Sequence, residues 1–107
     1  MDRWVNKVAV VTGASSGIGS ACVVDLVKAG MVVVALARRE DRLKDLKLGL
    51  PKNLQGKMYP VKCDITKLDD LVKIFKWIEE KLGPIHVLIN NAAVLKQTVT
   101  KEKLFIA

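Results

Sequence analysis

Apolar residues along this chain follow two alternating patterns. Short runs that are apolar at nearly every position are typical of strands covered on both faces of a sheet. Such runs predict four β-strands, at 7–12, 31–37, 57–63 and 85–89. The third run is the least apolar, which favours an edge position for it. Between the runs, apolar residues recur at helical spacing, which predicts helices at about 18–29, 38–48 and 68–82.

The helical spacing also predicts which side of each helix faces the sheet. The first helix, closed by Gly30 as C-cap, should turn inward the residues Ile18, Ala21, Cys22, Leu26 and Ala29. The second helix has a narrow apolar face of Leu43 and Leu46 and is broken by Pro51 and Asn53.

The third helix has start and stop signals of its own. Thr66 and Asp69 have the spacing of a capping box, and Gly83-Pro84 ends the segment. Its inward face is expected to contain Leu68, Leu71, Val72, Phe75, Ile78 and Leu82. Strands that alternate with helices predict an α/β fold with a parallel sheet and right-handed crossovers.

Glycines separate the first strand from the first helix in Thr12-Gly13-Ala14-Ser15-Ser16-Gly17-Ile18-Gly19. Gly13 is expected to turn the chain, Gly17 to leave room for a diphosphate, and Gly19 to let the helix approach the sheet. The first N–H groups of a helix lack intrahelical partners and attract phosphate. Ser15 and Ser16 serve as helix caps or phosphate donors. The alternative is a Gly/Ser-rich turn without a ligand.

This stretch resembles the cofactor motif of the short-chain dehydrogenase/reductase family, and Asn90-Asn91-Ala92-Ala93 is similar to that family's second signature. The resemblance implies a partial Rossmann fold, a four-stranded parallel sheet of order 3-2-1-4 with three crossover helices. It places Asp64 on the adenine amino group with the Ile65 backbone beside it. It also places Asn91, Ala92 and Ala93, the last in place of the usual glycine, along the cofactor ribose. A plain turn residue is the alternative for Asp64.

Two arginines follow the second strand, about 20 residues after the last glycine of the motif. An acidic residue there would select NAD, whereas the planar guanidinium of Arg38, with Arg39 beside it, suits the additional phosphate of NADP. A cation at a helix N-terminus also calls for a compensating anion. Glu40 and Asp41 leave NAD as an alternative, and a solvated helix start is the structural one.

The resemblance implies hydride transfer between a nicotinamide and an alcohol or carbonyl substrate. The family's catalytic Tyr-x-x-x-Lys does not occur here, because the sole tyrosine, Tyr59, is followed four positions later by Cys63. We therefore expect residues 1–107 to form one cofactor-binding domain without catalytic residues, in which 96–107 agrees poorly with the family. A catalytically inactive nucleotide-binding or partner-binding module is the alternative. Asp2-Arg3-Trp4 and the run from Ala35 to Arg39 resemble farnesol-dehydrogenase-like members.

Composition adds limits on partners and location. The 107 residues carry a net charge of +7, but the lysines are scattered, which disfavours nucleic-acid binding. Cys22 and Cys63 are expected to be buried free thiols in a reducing compartment, and the apolar runs are too short for a membrane span, so a cytoplasmic protein is expected. His86 is assigned no role and no metal site is expected. A bare apolar edge on the fourth strand predicts self-association, as a homo-oligomer.

Overall fold

The computed structural model describes residues 5–14, 17–64, 66–90 and 104–105. It contains five parallel strands and four helices in these parts of the chain. The strands are β1 (Val8–Thr12), β2 (Val32–Ala37), β3 (Met58–Lys62), β4 (Ile85–Asn90) and β5 (Leu104–Phe105). The helices are α1 (Gly17–Lys28), α2 (Glu40–Leu48), α3 (Lys52–Gln55) and α4 (Leu68–Lys81).

The sheet has the strand order β3-β2-β1-β4-β5, so the predicted order 3-2-1-4 is confirmed. The fifth strand was not predicted. It pairs in parallel with Leu88 and Ile89 of β4, so the edge of β4 is covered at these two positions rather than bare. Register aligns Thr12 with Leu36 on one side and with Asn90 on the other. The carboxyl ends of β1, β2 and β4 therefore meet at one edge of the sheet.

Both faces of the sheet are packed, as continuous apolar strands require. On one face Ala9, Val11, Val33 and Ala35 contact the side chains of α1 and α2. On the other face Val8, Val10, Val34 and Leu36 contact Leu71, Phe75 and Ile78 of α4. Alternate residues of each strand thus serve opposite layers.

The inward face predicted for α1 is right only in part, because Leu26 packs against the core, whereas Ile18, Ala21 and Ala29 are exposed. The buried residues of α1 are Gly19, Val23 and Val27, with Val24 and Leu26 packed beside them, while Ile18 is 71% exposed. Because α1 is apolar on two neighbouring stripes, periodicity alone did not choose between them. Gly19 lies on the buried stripe, where the absence of a side chain is compatible with a helix packed close to the sheet.

The connection between β2 and β3 holds two helices, whereas a single one was predicted. Pro51 precedes the short α3, because proline is tolerated at a helix start, where its missing N–H costs no hydrogen bond. The Gln55 side chain donates from Nε2 to the carbonyl of Leu50 at 3.0 Å and so ties α3 to the end of α2. The predicted break at Pro51 and Asn53 is therefore a change of helix.

The capping box predicted at Thr66 and Asp69 does not form. Lys67 is the N-cap of α4 and makes no side-chain capping hydrogen bond, while the Thr66 hydroxyl donates to Asp64 instead. Leu68, predicted to be inward, is 62% exposed, because the buried stripe begins at Leu71. The inward positions of Leu71, Phe75 and Ile78 are confirmed.

Strand β3 lies at an edge of the sheet, as its weaker apolar pattern predicted. Cys63 N donates to Ala37 O at 2.9 Å, and Lys57 O accepts from Val33 N at 2.8 Å. Polar backbone groups of successive residues alternate sides in a parallel strand. Residues 57, 59, 61 and 63 therefore turn toward β2, and Pro60 lies at a position facing away from it. Proline there costs no ladder hydrogen bond, which is the usual place for it in a sheet.

Candidate functional site

The candidate site begins where β1 and β4 end side by side. Thr12 pairs with Asn90 in register, and the Thr12 side chain is fully buried. Its Oγ1 is 3.5 Å from the carbonyl oxygen of Ile89, to which it donates. This contact joins the end of β1 to β4, directly before the glycine motif. The strand order reverses at β1, which is where ligands bind in open α/β sheets.

The turn after β1 has the backbone shape predicted from its first glycine. Gly13 adopts φ +62°, a conformation that residues with a side chain rarely take. The next residue, Ala14, is fully buried, and its N–H donates to the carbonyl of Leu36 at 3.1 Å. The turn is therefore fixed against the end of β2. Ser15 and Ser16 lie outside the described residues.

The start of α1 leaves room for an anionic group. A Cβ built on Gly17 meets no atom within 4 Å, so this glycine faces open space, whereas Gly19 is buried. The first turn of α1 contains no acidic residue that would neutralise its positive end. The Ser20 hydroxyl donates to the carbonyl of Gly17 at 3.0 Å. These features fit a diphosphate such as the pyrophosphate of a dinucleotide.

The two arginines after β2 have different surroundings. Arg38 is exposed at a bend directly after the strand, and no salt bridge is found for it in the described parts of the chain. Arg39 is the N-cap of α2, and its Nε lies 3.5 Å from Asp41 Oδ1. Hydrogen bonding and charge from Arg39 hold the pKa of Asp41 below its ordinary value. For Arg39 the compensating anion is thus the neighbouring Asp41.

Asp64 follows β3 and closes a turn of its own. One carboxylate oxygen accepts hydrogen bonds from Thr66 Oγ1 at 2.6 Å and from Thr66 N at 3.0 Å. These bonds, with smaller contributions from the charges of Arg38 and Lys67, hold the pKa of Asp64 below its ordinary value. The carboxylate is therefore ionised at neutral pH and already plays the part of a turn residue. Ile65 lies outside the described residues.

A cavity of about 520 Å³ connects Arg38 with Asp64. Its walls also include the lysines at positions 62, 67 and 73, which the sequence analysis did not single out. The hydrogen bond from Cys63 N to Ala37 O explains this proximity, because it brings the residues following β2 and β3 together. The sequence did contain an indication of this basic wall, because Lys62 lies at the end of the edge strand. The second signature is only partly covered: Asn90 ends β4, while Asn91, Ala92 and Ala93 lie outside the described residues.

Cys63 lines the cavity, whereas Cys22 and His86 are not among its lining residues. Both cysteines are free, as predicted, and Cys63 is buried, but Cys22 is only half-buried because it lies beside the packed stripe of α1. Burial raises the pKa of the Cys63 thiol, which makes it a weak nucleophile. The exposed His86 ring contacts the carbonyl of Pro84 at 3.0 Å. Among the residues with described positions, no cluster of metal-ligating side chains and no helix able to cross a bilayer is found.

Comparison with known proteins agrees with this geometry. A family model described as short chain dehydrogenase matches residues 7–105. Farnesol dehydrogenase from Aedes aegypti is 57% identical over 98 residues, which are 92% of this chain and 40% of that protein. A 3β-hydroxysteroid dehydrogenase from Mediterraneibacter gnavus is 36% identical over 97% of this chain and 37% of its own.

The solved structure of a short chain dehydrogenase from Bacillus anthracis superposes with a TM-score of 0.72 at 37% identity. The superposition covers 82% of this chain and 35% of that one. The chain thus spans well under half the length of the relatives named here. On the family model, the sequence identity and the structural superposition, this chain belongs to the short-chain dehydrogenase/reductase family.

Proposed function

We propose that this chain binds NADP in preference to NAD and forms the cofactor-binding part of an oxidoreductase. The reaction is hydride transfer between the nicotinamide and an alcohol or carbonyl substrate. The observation that carries the choice of cofactor is Arg38 at the end of β2, which is exposed and for which no salt bridge is found among the described residues. A carboxylate at this position would repel a 2′-phosphate, whereas a guanidinium binds it through two parallel hydrogen bonds.

The remaining cofactor contacts follow from the same edge of the sheet. The diphosphate lies over Gly13 and Gly17, with Ser15, Ser16, Ile18 and Gly19 around the start of α1. The adenine lies in the cavity between Arg38 and Asp64, where the ionised carboxylate accepts from its amino group. Because Thr66 uses one oxygen of Asp64, the other oxygen is the acceptor for adenine. Ile65, Asn91, Ala92 and Ala93 complete the proposed set on the adenine and ribose sides.

Relatives suggest a substrate class for the complete protein. The Aedes aegypti relative is a farnesol dehydrogenase, and we propose a small apolar alcohol or carbonyl compound of this kind. Tyr59 is not a catalytic tyrosine in this proposal, since it lies in the edge strand β3 with its ring 6.4 Å from that of Trp77. The chain by itself is expected to bind cofactor and to turn over no substrate.

Calorimetric titration with NADPH and with NADH tests the proposal. We expect NADPH to bind at least about tenfold more tightly, since one hydrogen bond to a charged group contributes about 1.5–3 kcal/mol. Arg38→Gln should remove most of this preference. Lys52→Gln, which removes an exposed charge in α3, should leave it unchanged. Equal affinities in the unaltered chain would exclude the role of Arg38, and the absence of binding to either cofactor would exclude nucleotide binding altogether.

A second candidate is a module that binds a partner chain without catalysis. Strand β4 has six residues, and β5 pairs with two of them, so other positions along β4 lack a described partner on that side. Unpaired strand edges associate with other chains. Sedimentation over a range of concentrations tests this: association that rises with concentration supports it. A monodisperse monomer with one cooperative melting transition contradicts it.

We also propose a cytoplasmic location. The support is chemical: Cys22 and Cys63 are both free thiols, as proteins of reducing compartments have them. Fluorescence microscopy of the tagged protein against compartment markers would test the location.

A further inference from the structure

The cavity between Arg38 and Asp64 has more positive charge than the proposed cofactor uses. Among the described residues, four basic and two acidic side chains line it, and the basic ones are Arg38, Lys62, Lys67 and Lys73. The proposed cofactor employs Arg38 alone of these four, because adenine carries no charge. The three lysines are exposed, and no salt bridge is found for them in the described part of the chain. Their charge is therefore available to other anionic groups.

The fold gathers these three lysines from separate positions in the sequence. Lys62 ends the edge strand β3, Lys67 is the N-cap of α4, and Lys73 lies in the second turn of that helix. Scattered lysines in the sequence disfavoured nucleic-acid binding, but these three border one cavity. The structure thus contains a basic concave surface that the sequence did not indicate.

An exposed aromatic ring follows the cavity along α4. Ile74 lines the cavity, and Trp77 lies three residues later, about one turn further on the same side of the helix. Trp77 is 38% exposed, and its ring lies 6.4 Å from that of Tyr59 in an edge-to-face arrangement. Tyr59 and Cys63 pack on the same face of the sheet, and Cys63 lines the cavity. The aromatic pair is therefore a neighbour of the cavity between α4 and β3.

We propose that this chain binds single-stranded nucleic acid across the cavity and Trp77. The backbone phosphates contact Lys62, Lys67 and Lys73, one base enters the cavity, and a neighbouring base stacks on the exposed part of Trp77. Basic side chains combined with aromatic stacking bind single strands with little sequence preference. A duplex fits poorly, because a base must be unpaired and unstacked before it enters a cavity. This inference goes beyond the proposed function and does not depend on the choice between NADP and NAD.

Asp70 gives the proposal an opposite consequence. Its carboxylate also lines the cavity, and burial, followed by the charge of Asp70, raises the pKa of the Cys63 thiol in the cavity wall. The negative charge of Asp70 therefore acts inside the cavity and repels a phosphate placed there. Asp70→Asn should strengthen binding of a single strand by about twofold to fivefold, as expected for an exposed charge pair.

Fluorescence anisotropy with a labelled oligouridylate of about 12 nucleotides measures the dissociation constant. A triple variant, Lys62→Gln with Lys67→Gln and Lys73→Gln, should weaken binding by about tenfold or more. It should also reduce the salt dependence, lowering the slope of log affinity against log salt concentration by about 2. An unchanged affinity and slope would refute the phosphate contacts.

A matched control removes the same charge away from the cavity. It combines Lys28→Gln, Lys44→Gln and Lys52→Gln, exposed positions in the helices that pack on the other face of the sheet. At an ionic strength of about 0.15 M, charges more than about 8 Å away are largely screened, so the control should keep its affinity within about twofold. Equal losses in the two triple variants would show that only the overall charge matters, and would refute the proposal.

Two measurements test the stacking on Trp77. Trp77→Leu should weaken binding by about fivefold or more, and Trp77→Phe, which keeps an aromatic ring, should retain most of the affinity. In Trp4→Phe, Trp77 is the remaining tryptophan, and a saturating strand should quench its emission. Circular dichroism and thermal melting show whether each variant is folded. Unquenched emission with equal affinities in all these forms would refute the stacking.

Competition separates this inference from the proposed function. The strand annealed to its complement should bind at least about tenfold more weakly than the single strand, and bound NADPH should displace the single strand from the shared cavity. Equal binding of the duplex, or a strand that bound NADPH does not displace, would overturn the inference. If the chain binds NADPH but no oligonucleotide, this inference is refuted while the proposed function stands. If it binds the oligonucleotide but neither NADPH nor NADH, the proposed function alone is refuted.

Discussion

Substitution of Gly17 by alanine should change stability and cofactor binding in opposite directions. Gly17 begins α1 with a φ that is not positive, and a Cβ built there meets no atom within 4 Å. Alanine therefore fits the folded backbone while it restricts the unfolded chain. Such replacements stabilise by about 0.4–1 kcal/mol. For a domain of this size the melting temperature should rise by about 2–8 °C.

The same methyl group should impair binding. It fills the space over the start of α1, where we place the diphosphate, and it pushes the phosphate away from the first N–H groups of the helix. Loss of one hydrogen bond to a charged group costs about 1.5–3 kcal/mol. This corresponds to about a 10-fold to 150-fold rise in the dissociation constant for NADPH.

Urea denaturation without ligand measures the first effect, and calorimetric titration with NADPH measures the second. Gly56→Ala is the matched control, because Gly56 has φ −67° and ψ −12°, and a Cβ there also meets nothing within 4 Å. It should raise stability to a similar degree and leave binding unchanged. A destabilised Gly17→Ala protein would show that the space is not open. A stabilised one with unaltered affinity would show that the diphosphate lies elsewhere.

Two further predictions concern the two ends of the sheet. Lys57 Nζ donates to Asn6 Oδ1 and to the carbonyl of Gly30, both at 3.0 Å, so Lys57→Met should lower the free energy of unfolding by about 1–2 kcal/mol in urea denaturation. Thr66→Val removes the shorter hydrogen bond to Asp64, so the pKa of Asp64 should rise toward its ordinary value in an NMR titration of the carboxyl carbon. Since the lowered pKa stabilises the folded state above about pH 4 and this contribution disappears as pH falls through the folded pKa, the variant should lose less stability on acidification.

Each of these predictions has its own check. Lys52→Met removes an exposed lysine from α3 and should leave the unfolding free energy nearly unchanged. If Lys57→Met behaves like it, the two contacts at the lower end of the sheet do not contribute to stability. For Asp64, a pKa that is the same in Thr66→Val and in the unaltered chain would show that the turn hydrogen bonds do not lower it.

Much of the fold could be predicted because the strands are apolar at nearly every position. The apolar runs that end at Thr12, Ala37 and Ile89 are too short to be interpreted as helices instead. The less apolar run around Pro60 indicated an edge strand of the sheet. The packing of α1 could not be predicted in this way. Its sequence presents apolar side chains on adjacent stripes, and the buried stripe includes Gly19, which contributes nothing to hydrophobic periodicity.

The parts of the candidate site that depend on backbone conformation could be predicted. The parts that depend on which side chains pair with one another were harder to predict. Gly13 needed a positive φ, and the turn provides it. Thr66 was expected to cap α4, but its hydroxyl is closer to Asp64, so a local turn replaced the cap. The guanidinium of Arg39 was expected to pair with a cofactor phosphate, but it lies 3.5 Å from the carboxylate of Asp41 instead.

Pro60 limits the edges at which another strand can extend the sheet. Its nitrogen carries no hydrogen and occupies the middle of the outer rim of β3, so an incoming strand would find a gap in the row of donors there. The opposite rim, beyond β1, already accepts β4 and then β5 in parallel. Extension of this sheet by any additional polypeptide is therefore expected on the β4 side, and the β3 rim acts as a terminus.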